Sequence, residues 1–201
     1  TRTTGIGLAG VFPAQEQEAF CRELLTGMGF SFVRGRADRS THPFTTMIGE
    51  DDVRLTLRFQ PDNPLSAIFA ALHEGGHALY DQGFPATLHD TLLAEAPSTG
   101  LHEAQARLWE NNVGRSGPFW TFWFRRLREL FPDAIRGVTP EAFLAEINRV
   151  RNDLVRVSAD EVTYNLHILM RFRLEVGLFE GALQAKDLAA APSPRSSRRT
   201  G

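Results

Sequence analysis

His73 and His77 lie four residues apart in a stretch whose apolar positions recur at helical spacing. A helix turns once every ~3.6 residues, so positions i and i+4 differ by only about 40° around its axis. Both imidazoles therefore leave one face, where together they can bind one metal ion. Leu65, Ile68, Phe69, Leu72, Leu79 and Tyr80 carry the helical periodicity. Asn63 suits the N-cap and Pro64 the first helical position, where a missing N–H costs nothing. Gly83 and Pro85 end the element. The chain is thus constrained to carry a long amphipathic helix with two imidazoles on one face.

The pair belongs to His73-Glu74-Gly75-Gly76-His77, the H-E-x-x-H arrangement of zinc peptidases. Glu74 directly follows the first histidine, from where it can reach a water on the metal. A catalytic zinc needs a third protein ligand and one open position. Glu103, in Leu101-His102-Glu103-Ala104-Gln105, is the best candidate, because it begins a second helical stretch after the breaker Ala96-Pro97-Ser98-Thr99-Gly100. His102 is the rival from the same segment, and spacing favours Glu103 only weakly.

The 201 residues are 42% hydrophobic and 23% charged, which suits one soluble domain, or one domain with appendages. No apolar run approaches the ~20 residues of a membrane helix, and no signal peptide is evident. A net charge of −2 gives no case for nucleic acid or membrane binding. The single cysteine, Cys21, falls on the apolar side of a helix and is expected to be a buried thiol. Together these features predict a cytoplasmic protein. Lys186 is the only lysine; the other cations are arginines, which can grip a carboxylate bidentately.

Along the chain, 1–10 reads as irregular and 15–28 as a helix stopped by Gly27 and Gly29. The segment 34–46 reads as polar and turn-like. Residues 53–59 alternate strictly, with Val53, Leu55, Leu57 and Phe59 on one face, and predict a half-buried strand paired with 30–33. Helices are expected over 101–113, over the aromatic stretch 116–131, and from Thr139 to about 152. Ser158-Ala159-Asp160-Glu161 reads as a capping box opening a helix to about 183. From 189 onward the Ala/Pro/Ser/Arg composition predicts disorder. The fold class is mainly α, with a small sheet beside the metal helix.

Five blocks occur in this order: His42-Pro43-Phe44, Asp52-Val53-Arg54-Leu55-Thr56, His73-Glu74-Gly75-Gly76-His77, His102-Glu103-Ala104-Gln105 and Arg156-Val157-Ser158-Ala159-Asp160-Glu161. They resemble the signatures H-P-F, D-x-R-x-T, H-E-x-x-H, H-E-S-Q and R-x-x-A-D-E of the carboxypeptidase Taq family of metallocarboxypeptidases. The resemblance runs from about Phe12 to Leu188. It implies a helical zincin core like that of the neurolysin group. It also implies release of single residues from peptide C-termini, with the metal on His73, His77 and Glu103. Ala104 departs from the pattern, which has serine there. Family members are much longer, with regions on both sides that wall the substrate groove. The expectation is therefore a catalytic core over 1–188, incomplete relative to the family, and a disordered tail over 189–201.

On this reading Glu74 is the general base. Arg54 and Arg156 are candidate clamps for the substrate's free C-terminal carboxylate. His42 is a candidate for stabilising charge in the transition state, or else caps the turn before Pro43. The expected cofactor is zinc, with cobalt able to replace it. The expected partner is a peptide with a free C-terminus, and a homodimer is one way to restore missing walls. Two alternatives stand beside the carboxypeptidase: a zincin endopeptidase or aminopeptidase, and a non-catalytic metal-binding remnant or assembly module.

Overall fold

In the computed structural model, the residues described are 10–89, 91–151, 153–156 and 159–190. The chain divides into two units, Thr1–Ile147 and Asn148–Gly201.

The first unit begins with α1 (Ala14–Met28), which ends at Gly29 in the left-handed region, φ 103°. Phe20, Cys21, Leu24 and Leu25 are its buried stripe. Cys21 is a free, buried thiol as expected, 3.6 Å from the Ala67 carbonyl oxygen, and burial pushes its pKa up.

The sheet departs from expectation. Residues 30–33 form no strand. Phe30 is buried and stacks edge-on with Phe32, and Gln82 grips the Ser31 backbone at both its N–H and its carbonyl. The partners are β1 (Gly35–Arg39) and β2 (Phe44–Gly49), both inside the segment read as turn-like. They flank β3 (Asp52–Leu57) in the order β1-β3-β2, β1 parallel and β2 antiparallel to it. Only the central strand alternates in the expected way. Val53, Leu55 and Leu57 are buried, and Arg54 is exposed. Edge strands tolerate polar sequence such as Gly-Arg-Ala-Asp-Arg, so they carry little apolar signal.

Helix α2 (Pro64–Gln82) starts as predicted, with Asn63 Oδ1 accepting from Ser66 N at 3.3 Å. It is more than amphipathic, since Ser66 is its one exposed residue. Ile68, Phe69 and Leu72 pack into a core with Phe12, Phe20, Leu24, Trp120 and Phe124. Ala67, Ala71 and Ala78 pack into another core with Cys21, Leu25, Val53, Leu55 and Leu57. A helix enclosed on all sides belongs at the centre of its domain.

Helix α3 (Thr99–Arg107) begins two residues before the predicted start, because Ser98 is its N-cap and accepts from Leu101 N at 3.2 Å. It runs into a π-helical turn, Leu108–Val113, closed by Gly114 N on Trp109 O at 2.8 Å. Next come α4 (Gly117–Leu130), capped by Ser116, and α5 (Pro140–Ile147). Thr139 caps α5 as predicted, accepting from Ala142 N, but α5 stops earlier than expected.

The second unit is built on α6 (Glu161–Phe179). Its cap is Asp160, whose carboxylate accepts from Val162 N, Thr163 N, Thr163 Oγ1 and Arg151 N. The predicted cap, Ser158, lies outside the described residues, as do 1–9, 152 and 191–201. Of the expected disordered tail, 189 and 190 belong to a 3-10 turn, Ala185–Ala190. Among the described residues, no helix is long and apolar enough to cross a membrane.

Candidate metal centre

Helices α2 and α3 approach so closely that side chains must be missing between them. A Cβ on Gly76 would stand 2.7 Å from Ala106 Cα and 3.0 Å from Gln105 O. On the other flank, a Cβ on Gly75 would meet Leu25 at 2.7 Å and Met28 at 2.8 Å. The two glycines inside the histidine motif thus let α1 and α3 close on α2. That closure carries Glu103, on α3, to the histidines.

His73, His77 and Glu103 each offer one ligand atom, all within 4.8 Å of one another. Glu103 Oε2 is 3.6 Å from His73 Nε2 and 3.4 Å from His77 Nε2. Zinc bonds of ~2.0–2.2 Å in tetrahedral geometry space neighbouring ligand atoms by about 3.3–3.6 Å. The spacing therefore fits one small divalent ion.

The other nitrogen of each ring is occupied. His73 Nδ1 is 2.8 Å from Glu110 Oε2, delivered by the π-turn. His77 Nδ1 is 2.5 Å from His102 Nδ1, and His102 Nε2 is 2.8 Å from Asp81 Oδ1. Arg107 donates to Glu103 Oε1 at 2.9 Å and to Glu110 Oε2 at 3.0 Å. Glu103 Oε1 is thereby engaged, while Oε2 faces the two Nε2 atoms. Such backing groups orient metal-binding imidazoles and fix their tautomers. The rival ligand His102 thus lies behind His77, between it and Asp81.

The electrostatics suit a cation. Burial pushes the Glu103 carboxyl upward, but its hydrogen bond with His77, the His73 charge and Arg107 outweigh burial and hold its pKa at about 2. Burial acts to lower the basicity of His73. The hydrogen bond with Glu110 and the charges of Glu110, Glu103 and Glu74 outweigh that and raise its pKa. Protons and metal compete for such a nitrogen.

Glu74 is 8% exposed, and Thr45 Oγ1 on β2 donates to its Oε2 at 2.7 Å. The other site candidates are placed as follows. Arg54 lies exposed on β3 and holds Asp52 through two hydrogen bonds, at 2.8 and 2.6 Å. His42 is exposed, and its carbonyl accepts from Ser40 Oγ at 2.6 Å. Arg156, in the second unit, donates to Tyr164 Oη at 2.7 Å. His89, expected to be exposed, has a side chain only 6% accessible, with Nε2 3.1 Å from Phe84 O.

Sequence reasoning missed Glu110, Asp81, Arg107 and Thr45. Asp81 is one helical turn after His77, and Glu110 is seven residues after Glu103. Both spacings put a residue on the same helix face as its ligand, so both were legible. Thr45 had no such signal, because its strand reads as a turn.

The sequence matches the family Carboxypeptidase Taq (M32) metallopeptidase over residues 1–195. It is 47% identical over 180 residues to thermostable carboxypeptidase 1 of Thermus thermophilus, an alignment covering 90% of this chain and 35% of that protein. It is 36% identical over 177 residues to carboxypeptidase 1 of Bacillus subtilis, covering 88% and 35%. The crystal structure of an M32 carboxypeptidase from Deinococcus radiodurans R1 superposes with a TM-score of 0.90 at 44% identity, covering 92% of this chain and 38% of that one. The chain spans about a third of the length of these curated relatives. The helical zincin core with its small sheet is the architecture that the motif blocks predict. By sequence and by fold, the chain belongs to the carboxypeptidase Taq (M32) family of metallopeptidases.

Proposed function

We propose that His73, His77 and Glu103 hold one zinc ion, and that Glu74 is the base of a carboxypeptidase releasing single residues from peptide C-termini. The observation that carries this reading is the orientation of the two imidazoles. Each has its Nδ1 engaged, so both Nε2 atoms face Glu103 Oε2 at 3.6 and 3.4 Å. Two nitrogens and one carboxylate oxygen suit zinc, with cobalt the competing ion, and leave a fourth position open. A divalent ion bound there supplies a Lewis acid that polarises the scissile carbonyl and makes a water more acidic. Glu74 takes the proton of that water and returns it to the leaving amine. Thr45 holds the Glu74 carboxylate in place through the hydrogen bond to Oε2.

For the free C-terminal carboxylate, Arg156 is the preferred clamp. Arg54 already grips Asp52 bidentately, whereas Arg156 donates to the neutral Tyr164 hydroxyl. His42 is the proposed stabiliser of developing charge. A single cysteine, buried and free, suits a reducing compartment, so a cytoplasmic location goes with this reading.

A second reading, a metal-binding module without catalysis, is favoured by the chain's span of about a third of its relatives. Zinc-loaded protein, offered a short peptide with either a free or an amidated C-terminus, separates the possibilities. The carboxypeptidase cleaves only the free form, and Glu74→Gln keeps zinc but lowers turnover by roughly 10²–10⁴-fold. Cleavage of the amidated peptide means an endopeptidase or aminopeptidase instead. Zinc binding without hydrolysis of either peptide means the non-catalytic module.

A further inference from the structure

The nitrogens of His77 and His102 that face each other raise a question of proton ownership. The two Nδ1 atoms are 2.5 Å apart, so one proton lies between them. If His102 donates it, His77 Nδ1 is the bare atom, and a neutral His77 must carry its proton on Nε2. That nitrogen could then bind no metal. If His77 donates, its Nε2 lone pair is free.

Asp81 decides between these arrangements. Its carboxylate can only accept, and it lies 2.8 Å from His102 Nε2. His102 must therefore carry its proton on Nε2. A neutral His102 then has a bare Nδ1, which accepts from His77 Nδ1–H. Packing holds the chain of groups in place. Asp81 is 9% exposed, the His102 ring stacks on His77 at 4.6 Å, and Tyr80 covers it at 4.8 Å. We infer that Asp81 and His102 are positioning residues that lock His77 in the Nδ1–H tautomer and thereby set the metal affinity of the site.

The two histidines of the motif are thus prepared differently. His73 meets the carboxylate of Glu110 directly, whereas His77 meets that of Asp81 through a neutral ring. The inference rests on the reading of His77 as a metal ligand, and the experiment separates the two. The protein used is the full 201-residue chain. Two quantities are measured: the nitrogen shifts of ¹⁵N-labelled imidazoles in the zinc-free protein, and zinc affinity by chelator competition.

In the starting protein, His77 Nε2 is expected to be unprotonated. Asp81→Asn offers a donating amide to His102 Nε2, which moves the His102 proton to Nδ1 and inverts His77. Zinc affinity is then expected to fall about 10–100-fold, the usual cost of losing such a group. His102→Phe removes the acceptor and should weaken zinc similarly. His102→Asn keeps an amide oxygen near the old Nδ1 position and should recover most of the affinity. This pair tests the idea even if Asp81→Asn does not fold.

If His77→Ala binds zinc like the starting protein, the metal assignment itself is wrong. If His77→Ala abolishes binding while Asp81→Asn and His102→Phe bind normally, the positioning role is wrong. It is also overturned if affinity falls equally in His102→Asn and His102→Phe, or falls in Asp81→Asn without inversion of His77. Either result would mean that the pair merely pins α3 to α2.

Discussion

Helices α2 and α6 are each 19 residues long, and only one of them builds a site. In α2, Ser66 alone is exposed. In α6, Thr163 and His167 are the buried residues, while Val162, Leu166, Ile168, Leu169, Phe172 and Phe179 are exposed. Apolar content does not separate the two. Residue size does. α2 carries Ala67, Ala70, Ala71, Gly75, Gly76 and Ala78, so α1, β3 and α3 can all come close. α6 carries Tyr164, Leu166, Ile168, Leu169, Met170, Phe172 and Leu174. Small residues give up their own packing area but admit neighbours, and those neighbours bring Thr45, Glu103, Glu110 and His102 to the metal centre.

The largest effect should follow from opening a cavity beside α2. Leu72 is 0% exposed in the core, so Leu72→Ala should cost about 2–5 kcal/mol, seen as a large fall in the urea midpoint. A cost below about 1 kcal/mol would mean that α2 is not tightly enclosed. Next comes Gly76→Ala. Its Cβ would meet backbone at 2.7 Å, so α3 must shift, at about 1–3 kcal/mol. The distinguishing readout is zinc affinity, which should weaken because Glu103 moves with α3. Unchanged affinity would break the link drawn between residue size and the site.

Smaller again is Asp160→Ala at the start of α6, expected to cost about 1–2 kcal/mol through its lost capping bonds. Here pH sharpens the comparison. Burial raises the Asp160 carboxyl, but the hydrogen bonds from Arg151 N and Thr163, together with Val162 N, outweigh it and lower its pKa. A carboxylate depressed in the folded state contributes its stability in full above the unfolded value of about 3.9 and loses it as pH falls through the lower, folded value. Asp160→Asn should flatten that acid limb. The smallest effect is expected from Phe172→Ala. At 62% exposure it should stay within about 0.5 kcal/mol, and a core-sized loss would show that α6 is covered in solution.

What the sequence revealed followed burial and regularity. The metal helix, its Asn63 cap, the aromatic helix α4 and the trio His73, His77 and Glu103 were all legible, because regular elements repeat and ligands obey helical spacing. β1 and β2 were not. Edge strands need no apolar stripe, so Phe44-Thr45-Thr46 read as part of a turn and Thr45 went unnoticed beside Glu74. His102 was seen but misplaced, since a histidine next to a ligand in sequence can serve as ligand or as backing. Only its two neighbours in space, His77 Nδ1 and Asp81, decide which. Nothing in Leu108-Trp109-Glu110-Asn111-Asn112-Val113 distinguishes a π-turn from ordinary helix.

That turn has a consequence for changes in chain length. A π-turn is a helical turn holding one residue more than an α-turn. Deleting one residue after Glu110 would let the backbone close as an α-helix with its hydrogen bonds intact. Everything beyond it would be rotated by about 100°, one helical step. Gly114, whose carbonyl accepts the Trp120 indole at 2.7 Å and whose missing side chain leaves room for Leu72, would be carried out of register. Point substitutions at Asn111 or Asn112 should therefore be absorbed locally, whereas a one-residue deletion at the same place would uncouple α4 from the helix that carries the metal ligands.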